Sequence, residues 1–421
     1  MLLTSPLAHE LYQSVKNLPI IDYHTHLPAA EILHDQQFEN IWELWLKHDH
    51  YKWRLMRACG VGEHLITGNA EPKEKFLAFA ASLPLAIGNP VYQWAHMELN
   101  QVFGITKQLN ANTAEAIWSE ANQQLQSKIS VSSLLKQFKV ELIGTTDDPY
   151  DDLADHIDIK NSKISTAVVP TYRPDKYLLA ESIDLTSLKE RHDYFHASGC
   201  LMSDHGIDHI PTPGSPAYKA LIEIAKWNHE KSWILQLHLG PLRRVNTRLS
   251  AQTGPDSGFD TMGSWSQTDL LIHFLNELDA LDQLPKTVVY NLNPNESASL
   301  CCALQNFQQA PSAGKLQYGA AWWHLDNVPG IQAQLDLTTQ LSAIGTHIGM
   351  LTDSRSFTSY VRHDYYRRIL SSFLAEKAIS GEMPNDKSLL SQTAQNISYY
   401  NVKEYLAPQP IHQSPPLTLI S

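Results

Sequence analysis

The sequence predicts an α/β fold: a closed, TIM-like (β/α)8 barrel with a large helical insertion after the first strand. Three observations carry this. Eight strand-like apolar runs alternate with helical patterning, the order that builds parallel strands joined by crossover helices. No Gly-x-Gly-x-x-Gly follows any run, which argues against an open, doubly wound nucleotide-binding sheet. Reactive side chains stand at the end of nearly every run, where barrel enzymes keep their catalytic groups. At 421 residues the chain suits a single barrel domain, 1–421, that carries an insertion.

In chain order the runs cover 19–24, 141–146, 166–170, 200–203 (the weakest), 233–238, 287–291, 316–321 and 347–352. The segments 218–231 and 268–281 place apolar residues three to four apart, as amphipathic helices do. From about 31 to 139 no good strand occurs. Helical patterning over 42–56, 73–86 and 90–103 marks this stretch as the insertion, expected to cover the C-terminal face of the barrel. Asn112 with Glu115 reads as a capping box for the helix containing Trp118. The stretch 250–264, rich in Gly, Ser, Thr and Asp, is long enough to cover a site.

Composition narrows the function classes. The formal net charge of -12 argues against nucleic acid as a partner, and an anionic substrate would need a locally basic pocket. Four cysteines without a Cys-x-x-Cys spacing fit a reducing compartment, so the expected location is cytoplasmic. Residues 1–18 do not read as a secretory signal, and no long apolar stretch predicts a membrane partner.

His24 and His26 stand two apart at the end of the first run, so both imidazoles face one side and can reach one ion. Asp353 ends the eighth run, which neighbours the first in a closed barrel. It can complete a His-His-Asp site with open coordination positions. His238 ends the fifth run, where a third metal ligand, a substrate contact and a buried structural histidine are all open readings. Asn291 and Asn293 follow the sixth run where a second ion would want a histidine, so one metal is expected. Arg173, Arg243, Arg244, Arg248 and Arg355 follow strands, and guanidinium groups bind carboxylates and vicinal oxygens through paired hydrogen bonds. Within the insertion, His48-Asp49-His50-Tyr51-Lys52-Trp53 offers a phenol able to exchange a proton with a carbonyl oxygen. Trp322 and Trp323 end the seventh run, where one can stack on a sugar. Ser203-Asp204-His205-Gly206 does not read as a hydrolase triad, because adjacent residues cannot form the relay. Asp147-Asp148-Pro149 reads as a turn with a helix cap.

Taken in order, these motifs resemble the uronate isomerases, a divergent branch of the amidohydrolase superfamily. The resemblance spans nearly the whole chain. It rests on Ile21-Asp22-Tyr23-His24-Thr25-His26, Asp49-His50-Tyr51-Lys52-Trp53-Arg54, Arg173-Pro174-Asp175-Lys176, Ser203-Asp204-His205-Gly206, Gln236-Leu237-His238-Leu239-Gly240, Trp322-Trp323 and Thr352-Asp353-Ser354-Arg355. It implies interconversion of D-glucuronate with D-fructuronate and of D-galacturonate with D-tagaturonate. It also implies one divalent metal, zinc, on His24, His26 and Asp353. Asp353, Tyr51 and Arg355 would carry catalysis, with His50, Arg173, His205, His238 and Trp322 around the substrate. The expected partner is a hexuronate and the expected assembly a homo-oligomer. A metal-dependent hydrolase of the same superfamily is the alternative. Two departures stand out: Thr25 replaces an expected cysteine, and His324-Leu325-Asp326-Asn327 follows the tryptophan pair where other members differ.

Overall fold

The computed structural model describes residues 2–180 and 182–407. Nine strands form among these residues: β1 Ile20–Asp22, β2 Val140–Gly144, β3 Ala167–Val169, β4 Met202–Ile207, β5 Ile234–Leu239, β6 Pro241–Leu242, β7 Thr261–Met262, β8 Lys286–Asn291 and β9 Leu316–Tyr318. One parallel sheet runs β1-β2-β3 and another β4-β5-β8-β9, while β6 and β7 form a small antiparallel ribbon. Bridges from Tyr172 to Asp147 and to Ser203 connect the first sheet to the second. At the other end the chain returns to β1: Asp353 N donates to His24 O at 3.2 Å and His26 N to Ser354 O at 2.9 Å. This circular order of parallel strands, with helices between them, is the arrangement of a TIM-like barrel.

The eighth run departs from expectation. It lies beside β1, but residues 347–354 carry no regular secondary structure. The buried Asp22 carboxylate accepts both the Thr352 backbone N–H (2.8 Å) and its hydroxyl (2.6 Å). A side chain thereby takes a donor that a ladder would have used. The fourth run, weakest in the sequence, is a full strand of six residues. Its polar side chains hid it, and each is matched to a buried partner described below.

Between β1 and β2 the chain forms seven α-helices: Ala29–Leu33, Ile41–Trp45, His50–Ala58, Pro72–Ser82, Pro90–Phe103, Ala114–Leu125 and Val131–Gln137. The stretch 42–56, read as one helix, is two. Asp49 ends the break, its Oδ1 accepting the N–H groups of Tyr51 and Lys52 at 3.0 Å each. This N-cap starts a helix at His50. The capping box expected at Asn112 does not form: Thr113 is the N-cap, and Glu115 instead pairs with Lys73 at 2.6 Å. Trp45, Phe76 and Phe79 are buried among these helices, each adding about 1.5–3 kcal/mol of burial.

Candidate active site

A cavity of about 580 Å³ opens at the C-terminal ends of the strands. His24, His26, His50, Arg173, His238, Trp322, Asp353 and Arg355 line it, together with Arg243, Arg244 and Asp256. Most of the residues singled out by the sequence therefore meet in one place.

Just past β1, His24 and His26 project to the same side while Thr25 turns away, its hydroxyl donating to Gly144 O at 3.0 Å. Asp353 Oδ1 lies 3.3 Å from His24 Nε2 and 3.1 Å from His26 Nε2. Ligand atoms held tetrahedrally at ~2.0–2.1 Å from a zinc-like ion are separated by about 3.3 Å. The three side chains thus fit one ion, and two imidazoles with one carboxylate form a suitable donor set. Burial pushes His26 down to about 4, which keeps its ring neutral as a ligand must be. Burial alone would lower His24 as well, but the Asp204 and Asp353 carboxylates outweigh it and raise its pKa. Burial opposes ionisation of Asp353, yet the two histidines hold its carboxyl well below the usual range.

Asp353 has φ 48° and Trp323 has φ 50°, left-handed conformations uncommon for residues with a side chain. Such strain concentrates at functional sites. The Trp322 indole donates to Asp353 Oδ2 at 2.7 Å, so this ring orients the carboxylate as well as lining the cavity.

Sequence reasoning missed Asp204. It is fully buried on β4, with Oδ1 2.6 Å from His238 Nδ1 and Oδ2 2.9 Å from Arg173 Nη1. Its carboxyl is held well below the normal range against burial, by Arg173, His238 and His24. His24, Asp204 and His238 form a second set of potential ligands. Both oxygens of Asp204 already face cationic or donor groups, so the His24-His26-Asp353 set is the better metal site. His238 stacks on Tyr290, ring centroids 4.1 Å apart, and its Nε2 has no hydrogen-bond partner among the described residues.

His205 requires correction as a substrate contact. Neighbours on a strand point to opposite faces, and on β4 it is Asp204 that faces the site. His205 is fully buried behind the cavity wall, against Ser203 and Asp175. Strand parity places Asp204 and His205 on opposite faces, and the cavity-lining Gly206 shows that the face of Asp204 is the one that meets the site.

His50 lines the main cavity, with Arg355 Nη1 3.3 Å from its Nδ1. Tyr51 lines the adjoining pockets rather than the main cavity, its ring 4.4 Å from that of His50. Burial, then the Asp353 charge, raises the Tyr51 hydroxyl well above its usual pKa, so it stays protonated. Arg243 packs over the Trp323 ring at 5.4 Å. Arg248 lies in the helix Thr247–Thr253, whose end runs into the stretch 250–264 read as a covering loop. Asn291 Nδ2 donates to Asn293 O at 2.7 Å, a local role that leaves neither in the cavity lining. Among the described residues, no helix is long and apolar enough to cross a membrane.

The family model of glucuronate isomerases matches residues 1–184 and 215–406. The chain is 40% identical to uronate isomerases of Caldanaerobacter subterraneus subsp. tengcongensis and Opitutus terrae, over 96% of this chain and 98% and 96% of theirs. A solved uronate isomerase from Thermotoga maritima superposes with a TM-score of 0.89 at 31% identity, covering 96% of this chain and 98% of that one. The glucuronate isomerase of Caulobacter crescentus, at 24% identity and a TM-score of 0.85 over 96% of this chain and 95% of its own, shares the fold. With its barrel, its His-His-Asp cluster and these likenesses in view, the chain belongs to the uronate isomerase family.

Proposed function

We propose that this chain is an aldose–ketose isomerase interconverting D-glucuronate with D-fructuronate and D-galacturonate with D-tagaturonate. One observation carries the reading beyond family membership. A single cavity brings the His24-His26-Asp353 cluster together with Arg173, Arg243, Arg244 and Arg355, a setting for a polyhydroxylated anion. An ion on His24, His26 and Asp353, zinc by the donor set, would supply a template and charge stabilisation for substrate oxygens.

The reaction moves a proton between C2 and C1. Asp353, kept ionised by the two histidines, supports removal of the C2 proton. Tyr51, kept protonated, is the acid for O1, with the aldehyde end of the substrate directed toward His50. Arg355 binds hydroxyls near the reacting carbons, and Arg173 and His238 hold the rest of the sugar acid. Trp322 serves through Asp353. The alternative, a metal-dependent hydrolase, would use the same carboxylate to activate water, and family membership does not favour it. The free thiols of Cys59, Cys200, Cys301 and Cys302 accord with work in the cytoplasm. A single barrel domain with its insertion over the C-terminal face, assembled as a homo-oligomer, completes the reading.

Incubation with each uronate followed by a ketose assay tests it directly. Ketose should form only in metal-replete protein, and metal analysis should find about one zinc per chain. Asp353→Asn should abolish turnover while circular dichroism stays unchanged. Absence of ketose from both uronates would overturn the reading.

A further inference from the structure

A buried polar chain runs outward from the cavity wall, and the proposed chemistry leaves it unused. His192 Nε2 lies 3.0 Å from Asn228 Oδ1, and Asn228 Nδ2 donates to Ser203 Oγ at 2.7 Å. Ser203 Oγ lies 3.0 Å from His205 Nε2, and His205 Nδ1 faces Asp175 Oδ1 at 3.4 Å. Asp175 Oδ2 accepts from Gly206 N at 2.8 Å and from Arg173 Nε at 3.0 Å. His192, Asn228, Ser203 and His205 are all fully buried.

The donor inventory fixes the direction of this chain. The Asp175 carboxylate can only accept, so the His205 Nδ1 that faces it carries the proton, and in that neutral tautomer Nε2 accepts from Ser203 Oγ. Asn228, using its N–H on Ser203, takes the His192 proton on Oδ1. The hydrogen bonds from His192 to His205 therefore run toward one carboxylate, which His205 Nδ1 meets across a longer contact of 3.4 Å, and hydrogen bonds aligned in this way strengthen one another.

That carboxylate clamps Arg173. The guanidinium lies so close to β4 that a Cβ at Gly206 would sit 2.1 Å from Arg173 Nη2. Glycine leaves room for the fork, and the orientation of the fork is then set by Asp175 on Nε and Asp204 on Nη1.

We propose that His205 is a positioning residue for substrate binding, acting through Asp175 to orient Arg173 in the cavity. The proposal rests on the reading that Arg173 binds the uronate. The test is steady-state kinetics of the full-length, metal-replete protein with D-glucuronate. His205→Phe fills the space without polar atoms. His205→Gln can still accept from Ser203 and donate to Asp175. KM should rise about tenfold or more in His205→Phe, with kcat changed less, and stay within about threefold of wild type in His205→Gln. Arg173→Met should raise KM, and adding His205→Phe to it should raise KM no further.

A packing role predicts the reverse order, with Phe tolerated and Gln impaired, and that result would overturn the proposal. So would additive effects in the double variant. If Arg173→Met raises KM and His205→Phe does not, the proposal fails alone. If Arg173→Met leaves KM unchanged, the substrate reading of Arg173 fails and takes the proposal with it. Should His205→Phe not fold, Ser203→Ala removes the hydroxyl that links His205 Nε2 to Asn228. A several-fold rise in KM there supports the relay, and an unchanged KM overturns it.

Discussion

The Trp322 indole N–H donates to Asp353 Oδ2 at 2.7 Å, and this bond leaves Oδ1 facing both His24 and His26. Groups that orient a ligand commonly govern metal affinity by 10–100-fold. Trp322→Phe keeps the ring contact with His238, at 4.6 Å, and removes the donor. Zinc affinity should fall by roughly 10–100-fold, measured by competition with a chromophoric chelator. Wild-type affinity would show that the bond does not orient the ligand.

Arg355 stands between the insertion and the eighth run, with Nη1 3.3 Å from His50 Nδ1 and Nη2 3.3 Å from Asp256 Oδ2. Arg355→Lys keeps a charge but loses the planar fork. We expect kcat/KM to fall about 100-fold in both Arg355→Lys and Arg355→Met, a loss near 2.7 kcal/mol of transition-state stabilisation. Rescue by lysine would mean that charge alone matters there.

Acid should destabilise the fold through two histidines remote from the metal cluster. Burial pushes both His192 and His347 down to about 4, whereas an unfolded histidine titrates near 6.5. Below about pH 6.5 the unfolded chain binds protons that the folded chain refuses. Their contribution is therefore complete above about pH 6.5 and is lost as pH falls toward 4. Thermal unfolding followed from pH 7 to 4 should show Tm falling with pH, and His347→Gln should flatten that slope. An unchanged slope would count against the buried neutral ring.

Lys52 is a buried residue of the helix that also carries His50 and Tyr51. Its Nζ lies 3.1 Å from Asp49 Oδ2 and 3.8 Å from Glu98 Oε2, and donates to Trp45 O at 3.3 Å. Glu98 also accepts from Thr358 Oγ1 at 3.1 Å, a tie to the segment that follows Arg355. Lys52→Met strands the buried Glu98 carboxylate and the half-buried Asp49 and should cost about 3–5 kcal/mol in urea unfolding. Adding Glu98→Leu should recover part of that loss. A Lys52→Met variant as stable as wild type would show the network to be energetically idle.

Much of the site was legible because local spacing decides it. A pair at i and i+2 on a strand must share a face, so His24 and His26 had to converge whatever surrounded them. Parallel strands in a closed ring bring the last beside the first, so Asp353 could be assigned to the same pair. The cap at Asp49, inside a stretch that reads as continuous helix, was not evident, although its partners, the N–H groups of Tyr51 and Lys52, are local.

Other features depended on distant partners. The Asp22 carboxylate, from the first run, replaces ladder bonds in the eighth, an exchange between residues 330 positions apart. Strand parity at Ser203-Asp204-His205-Gly206 could not be settled without knowing which face of β4 the cavity occupies. The sequence by itself determined the alternation of strands and helices, the insertion and the His-Thr-His pair, since these follow from periodicity and local geometry. Only the tertiary structure decided that Asp204 meets Arg173 and His238 while His205 turns outward to Asp175, because buried charges are placed by partners that the linear order does not reveal.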